Sequence, residues 1–159
     1  MKRPWNIVDP PIYSLITYDK TGKLNMNICS YVSAVSIKPK LFIIAIDYNS
    51  KTYENLKDNS TVVLQLLNKS HLKIIRKLGK STGKHIDKEK YLRSKKLLNE
   101  WRDKTVLKNV CALLELSKTN EINISGDHAI FSFSVTKFKT YTEDQVLSFK
   151  DLIEHKIIL

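Results

Sequence analysis

Glycine and proline are scarce in this chain of 159 residues, four of each, and no repeat, linker or low-complexity tract interrupts it. With 42% of residues apolar, that scarcity argues for a compact soluble fold rather than a disordered chain. The length is that of one domain, residues 1–159, large enough to bury most of the surface its unfolded chain exposes. Long apolar runs are missing: none approaches the ~20 residues that a membrane span needs. The basic start Met1-Lys2-Arg3-Pro4-Trp5 has no apolar segment behind it, so no secretion signal is read there. Cysteine is reduced to Cys29 and Cys111, both in expected strands. Without a secretion signal they read as two buried thiols rather than a disulfide, and the cytoplasm is the expected compartment.

Several chemistries lack their residues. His71, His85, His128 and His155 show no ligand spacing and neither cysteine has a CxxC partner, which speaks against a metal site. Cys29 has no paired base within sequence reach and is not expected to act as a nucleophile. There is no GxGxxG and no P-loop. Acidic residues are also short, 16 against 27 Lys and Arg, for a net charge of +11. The excess is local: residues 69–108 hold 14 Lys and Arg against 4 Asp and Glu, leaving the rest close to neutral. A block of this kind can face nucleic acid. Here lysine far outnumbers arginine and the interleaved aromatics that stack bases are lacking, so solvated helical faces are the simpler reading.

What is present is a run of strands. Ile12–Tyr18 reads as a strand closed by the turn Asp19–Lys23, with Gly22 where positive φ is cheap. Ile28–Ser36 mixes β-branched, aromatic and hydroxyl residues as a strand wet on one face. Lys38-Pro39-Lys40 is a turn, and Leu41–Ile46, apolar throughout, is a strand buried on both faces. Asn49 or Ser50 then caps a helix over 51–57, with Glu54 near capping-box spacing. Thr61–Leu67 is a further strand, and Asn68–Leu78 an amphipathic helix stopped by Gly79. Residues 80–90 read as a loop and Tyr91–Trp101 as another helix. Cys111–Ile124 and His128–Tyr141 form a long hairpin around Ser125-Gly126-Asp127. Gln145–Leu159 fits either a short strand or a helix. The pattern predicts a mostly β fold, a barrel with short helices or an α+β arrangement.

The stretch Asn25–Leu56 organises this reading. A strand that ends in small polar residues at a helix start is a place to hold a phosphate, because free N–H groups and the positive end of the helix dipole converge there. The order of elements, with Asn49-Ser50-Lys51-Thr52 opening the helix, resembles the flavin reductase-like family of FMN-binding split barrels. Two other segments agree. Ser81-Thr82-Gly83-Lys84-His85-Ile86-Asp87-Lys88 is similar to that family's S-G-x-x-x-D-K segment, with an extra Thr, and Gly126-Asp127-His128-Ala129-Ile130-Phe131 to its G-D-H-x-[IL]-F motif. The three span roughly residues 10–140.

The resemblance implies a six-stranded, Greek-key-like antiparallel split barrel. It implies FMN as cofactor (FAD is possible), NAD(P)H as hydride donor and a homodimer. Asn25 and the strand Cys29, Ser30, Tyr31, Val32 and Ser33 would line the ring and ribityl chain, and Asn49, Ser50, Lys51 and Thr52 would take the phosphate. The same hydroxyls serve equally well as helix caps and strand-edge partners. Lys84 matches a position near the flavin phosphate or the nicotinamide nucleotide, and otherwise is an exposed loop lysine; Arg76 and Lys80 could serve the same anion. His128 would sit by the flavin and the nicotinamide, positioning rather than moving protons, whereas a lone histidine is more often a hairpin brace. The implied activity is an NAD(P)H-dependent flavin reductase, with the nicotinamide over the flavin for want of a dinucleotide-binding motif. The alternatives are a flavin-carrying electron shuttle or a nucleic-acid module acting through 69–108.

Overall fold

The computed structural model describes residues 3–158; Met1, Lys2 and Leu159 lie outside them, and with them parts of the signal-peptide and C-terminal readings. Nine strands run in chain order: β1 Tyr13–Tyr18, β2 Leu24–Cys29, β3 Val32–Ser36, β4 Leu41–Asp47, β5 Thr61–Leu66, β6 Leu98–Trp101, β7 Lys104–Leu107, β8 Ala112–Ile122 and β9 His128–Thr140. Among the described residues four α-helices accompany them: α1 Lys51–Asp58, α2 Leu72–Lys80, α3 Lys88–Ser94 and α4 Phe149–Glu154. Seven strands form one antiparallel sheet in the order β2-β1-β5-β8-β9-β4-β3, and β6 pairs with β7 as a separate hairpin.

That order has a geometric consequence. β2 and β3 stand at opposite ends of the sheet, yet only Ser30 and Tyr31 separate them in sequence. Three extended residue steps reach ~10 Å. The sheet must therefore curl until its edges nearly meet, which makes a barrel split along one seam. The Tyr31 carbonyl accepts a hydrogen bond from the Ala45 N–H at 3.0 Å and ties the crossing residues to β4.

Burial follows from the curl. Leu15, Val62, Leu64, Leu116, Phe131 and Phe133 fill the barrel with Ile44 and Ile46, and Leu56 of α1 plugs one end. The alternate residues Ile16 and Val63 face outward under Ile74, Ile75 and Leu78 of α2 and Leu92 of α3. Strand β5 is thus covered on both faces, which is why its sequence is nearly continuously apolar.

The mostly β split-barrel expectation is met, with differences in the elements. Segment 28–36 is two strands broken at Ser30-Tyr31, so the sheet has seven members rather than six. A 3-10 turn, Lys69–His71, precedes α2, which runs through Gly79 and ends where Ser81 turns extended. The helix expected over 91–101 starts earlier, at Lys88, because the Asp87 carboxylate caps it by accepting from the Lys90 N–H at 2.9 Å. It ends at Ser94; Lys96 takes positive φ (56°), and the chain then forms β6. The C-terminal segment is helical in α4, closed by a Ser148–Asp151 capping box. Cys111 lies just before β8 rather than in a strand; it is buried and Cys29 half-buried, and both are free thiols. No helix among the described residues is long and apolar enough to cross a membrane.

Candidate functional site

A cavity of about 380 Å³ opens at the seam. One wall is Asn25, Asn27 and Ile28 of β2, and the opposite wall is Ala45, Ile46 and Asp47 of β4 with His128 of β9. The start of α1, Asn49–Thr52, forms one end; the end of α2, the turn Ser81-Thr82-Gly83 and Lys88 form the other side.

The start of α1 is built by a local turn. The Asp47 carboxylate accepts from the Asn49 N–H at 2.7 Å, and the Asp47 carbonyl accepts from the Ser50 hydroxyl at 2.7 Å. The Ser50 Oγ in turn accepts from the Tyr53 N–H at 3.1 Å. Ser50 therefore spends its hydroxyl on the cap. The N–H groups of Lys51 and Thr52 find no acceptor among the described residues and stand at the positive end of the helix dipole.

Beside them, Asn25 is 6% exposed, and its Nδ2 donates to Thr52 Oγ1 at 3.2 Å. Its Oδ1 is buried with no hydrogen-bond partner. A buried unpaired acceptor costs about 1–3 kcal/mol, so this oxygen is a polar group the fold leaves unsatisfied beside the cavity. Gly83 makes the approach possible: a Cβ there would lie 2.0 Å from Asn25 Oδ1 and 3.2 Å from Lys51 Cβ.

Lys88 is the least expected member. It is only 5% exposed, its ammonium donates to the Leu78 carbonyl at 2.6 Å, and burial pushes its pKa down to about 8. Lys51, Lys80 and Lys88 line the cavity, where among the described residues Asp47 is the one carboxylate and the Asn49 N–H already occupies it; the Lys51 ammonium also pairs with Glu54 at 3.3 Å. This donor set fits the phosphate and hydroxyls of a flavin mononucleotide: unpaired helix N–H groups, the ammoniums of Lys80 and Lys88 with Lys51 beside them, and one orphaned amide oxygen.

Of the expected residues, the fold brings Asn25, Asn49, Ser50, Lys51, Thr52 and His128 to this cavity. The imidazole Nδ1 of His128 pairs with the Asp127 carboxylate at 2.5 Å, and its ring meets Tyr31 edge-on at a centroid distance of 5.5 Å. Tyr31 stands exposed at the seam. Cys29 and Val32 pack against the barrel core instead, and burial pushes the Cys29 thiol up to about 12. Ser30 lies half-buried in the crossing, while Ser33 is exposed and donates to the neighbouring Ala34 carbonyl. Lys84 turns away to Glu54 at 2.7 Å and lines an adjoining recess with Lys23. The lysine of this segment that lines the cavity is Lys88, four residues on; its segment carried the family resemblance, but nothing local distinguishes a buried lysine from an exposed one.

The flavin reductase like domain model matches residues 9–151. No curated protein matches the chain. Among solved structures, an FMN-binding protein from Thermus thermophilus with bound 1-cyclohex-2-enone superposes with a TM-score of 0.74 at 16% identity, covering 88% of this chain and 75% of that one. A flavoredoxin from Methanosarcina acetivorans gives 0.73 at 19% identity, covering 91% and 76%. An NADH:FAD oxidoreductase from Streptomyces globisporus C-1027, in complex with NAD and FAD fragments, gives 0.71 at 15%, covering 87% and 79%. At these identities the likeness speaks for the fold.

Proposed function

The chain belongs to the flavin reductase-like domain family, and from that premise we propose that it is an FMN-binding, NAD(P)H-dependent flavin reductase. The observation that carries the reading is the seam cavity, where an orphaned Asn25 Oδ1, two unpaired N–H groups at the start of α1 and the buried ammonium of Lys88 converge. In this reading Lys51, the Thr52 N–H and Lys88 hold the phosphate, and Asn25 accepts from a ribityl hydroxyl. His128 and Tyr31 border the ring, with the backbone of 29–33 along the seam; FAD would place its extra nucleotide outside the cavity. When bound, the flavin supplies hydride acceptance and release. The protein orients the two nucleotides; His128, held by Asp127, fixes the approach of the nicotinamide rather than moving a proton.

Purified protein is expected to take up FMN stoichiometrically in a fluorescence titration, and a protein that binds none removes the basis of the reading. NADPH or NADH oxidation with added flavin then separates a reductase from an electron shuttle, which would keep its FMN without such turnover. His128→Ala is expected to lower turnover roughly ten- to hundredfold with FMN affinity nearly kept. A variant that loses melting temperature and keeps turnover would make His128 a hairpin brace.

A further inference from the structure

The outer face of α2 carries Lys73, Arg76, Lys77 and Lys80 at i, i+3, i+4 and i+7, all exposed, while Ile74, Ile75 and Leu78 are buried beneath. Like charges four apart work against a helix. Seven lysines elsewhere, Lys20, Lys23, Lys51, Lys57, Lys69, Lys84 and Lys104, each reach a carboxylate. Among the described residues none of the four α2 cations does; Arg76 donates only to the Lys156 carbonyl. The stripe ends at two openings. Lys80 lines the seam cavity. Lys73, about 10 Å away along the axis at 1.5 Å per residue, lines a recess of about 270 Å³ between α2 and α3 with Ile74, Tyr91, Lys95 and Leu97. Among the described residues no carboxylate lines that recess, and Lys77 Nζ stands 5.8 Å from the Tyr91 ring centroid.

An aromatic face, two aliphatic side chains and three ammoniums suit a purine base that carries phosphate. In dinucleotide sites a carboxylate reads a free ribose 2′-hydroxyl, whereas a cation accommodates a 2′-phosphate. We propose that the α2–α3 recess binds the adenosine end of a 2′-phosphorylated nicotinamide dinucleotide, its remaining phosphates running along the α2 cations to the seam, so that the donor is NADPH rather than NADH. The nicotinamide half of this assignment rests on the flavin reductase reading; the adenosine half does not.

The test therefore begins without flavin. Adenosine 2′,5′-bisphosphate is titrated calorimetrically into the full chain, and into a Lys73→Gln/Lys95→Gln double variant. Binding by the wild type, weakened about tenfold or more in the variant and restored by Lys73→Arg/Lys95→Arg, is the expected result. With FMN saturating, the wild type should have the lower KM for NADPH, and the Gln variant should lose about tenfold of that preference with FMN affinity unchanged. No bisphosphate binding, or an NADH preference that the substitutions leave in place, overturns the proposal. Duplex DNA binding that depends on the same lysines, without bisphosphate binding, overturns it in favour of a nucleic-acid face. A chain that binds the bisphosphate but neither FMN nor turns over NADPH would keep the adenosine site and sink the flavin reading.

Discussion

Lys88 concentrates the electrostatics of the site in one side chain. Its ammonium has one carbonyl partner, at Leu78, and little water, so burial holds its pKa near 8 against an ordinary 10.5. Between those values the unfolded chain binds more protons than the folded one, so this residue makes stability rise with pH across that window. Replacing it with methionine removes the dependence: melting temperatures of wild type and Lys88→Met, followed from pH 7 to 10, should shift progressively in favour of the wild type. FMN affinity should move the opposite way, falling as pH rises above about 8 because a neutral lysine no longer attracts the phosphate. Parallel melting curves with a pH-independent FMN affinity would show that the amine does not titrate in this range. In sequence both Lys84 and Lys88 lie in a segment that reads as a loop, and the resemblance points to Lys84 rather than Lys88. What separates them is tertiary: Asp87 caps α3, which places Lys88 in its first turn and lays its side chain on the last carbonyls of α2, while Lys84 faces Glu54 on α1.

At the scale of elements, the site exists because β2, β4, the start of α1 and the turn after α2 meet around one cavity. Gly83 is the point of contact. Asn25 is held by Thr52 and cannot give way like the free end of a surface side chain, so a methyl group 2.0 Å from its Oδ1 must displace the 81–87 turn instead. Gly83→Ala is expected to cost about 1–3 kcal/mol of stability, the usual range for overpacking. It should weaken FMN more than it weakens the fold, which thermal melts and a flavin titration on the same sample would show. A variant with wild-type affinity would mean that the turn is not part of the cradle. The helix start beside it was legible from the small polar run Asn49–Thr52, and Ser50 does cap. The seam was not. Nothing between Ile28 and Ser36 is a proline or glycine, and a strand that crosses from one sheet edge to the other keeps the same β-branched pattern on both sides of Ser30-Tyr31. Local pattern reports that a segment is extended, not which neighbour it pairs with. The helix predicted over 91–101 failed for a related reason: its caps at Asp87 and Lys95 lay inside stretches read as loop and helix.

For the whole molecule, the curl that creates the cavity also leaves β3 with one unpaired edge. β3 pairs with β4 on one side only, at the end of the sheet order, and Tyr31, Val35 and Ile37 around it are 59%, 50% and 82% exposed. An open apolar edge strand invites pairing with another chain unless charge or a covering element blunts it; here Val32, Ser33, Ala34, Val35 and Ser36 offer no charge. Tyr31 also touches His128, so whatever covers this edge borders the cavity. A second copy related by a two-fold axis is the occupant we propose, since an isologous contact closes on itself and removes both open edges together. Light scattering should then give the mass of a dimer at micromolar concentration. Val35→Lys with Ile37→Lys, both on exposed positions that the barrel core does not use, should shift the protein to monomers and weaken FMN through the loss of the cover over Tyr31. A wild-type monomer contradicts the pairing, and monomeric variants with undiminished FMN affinity would detach the dimer from the site.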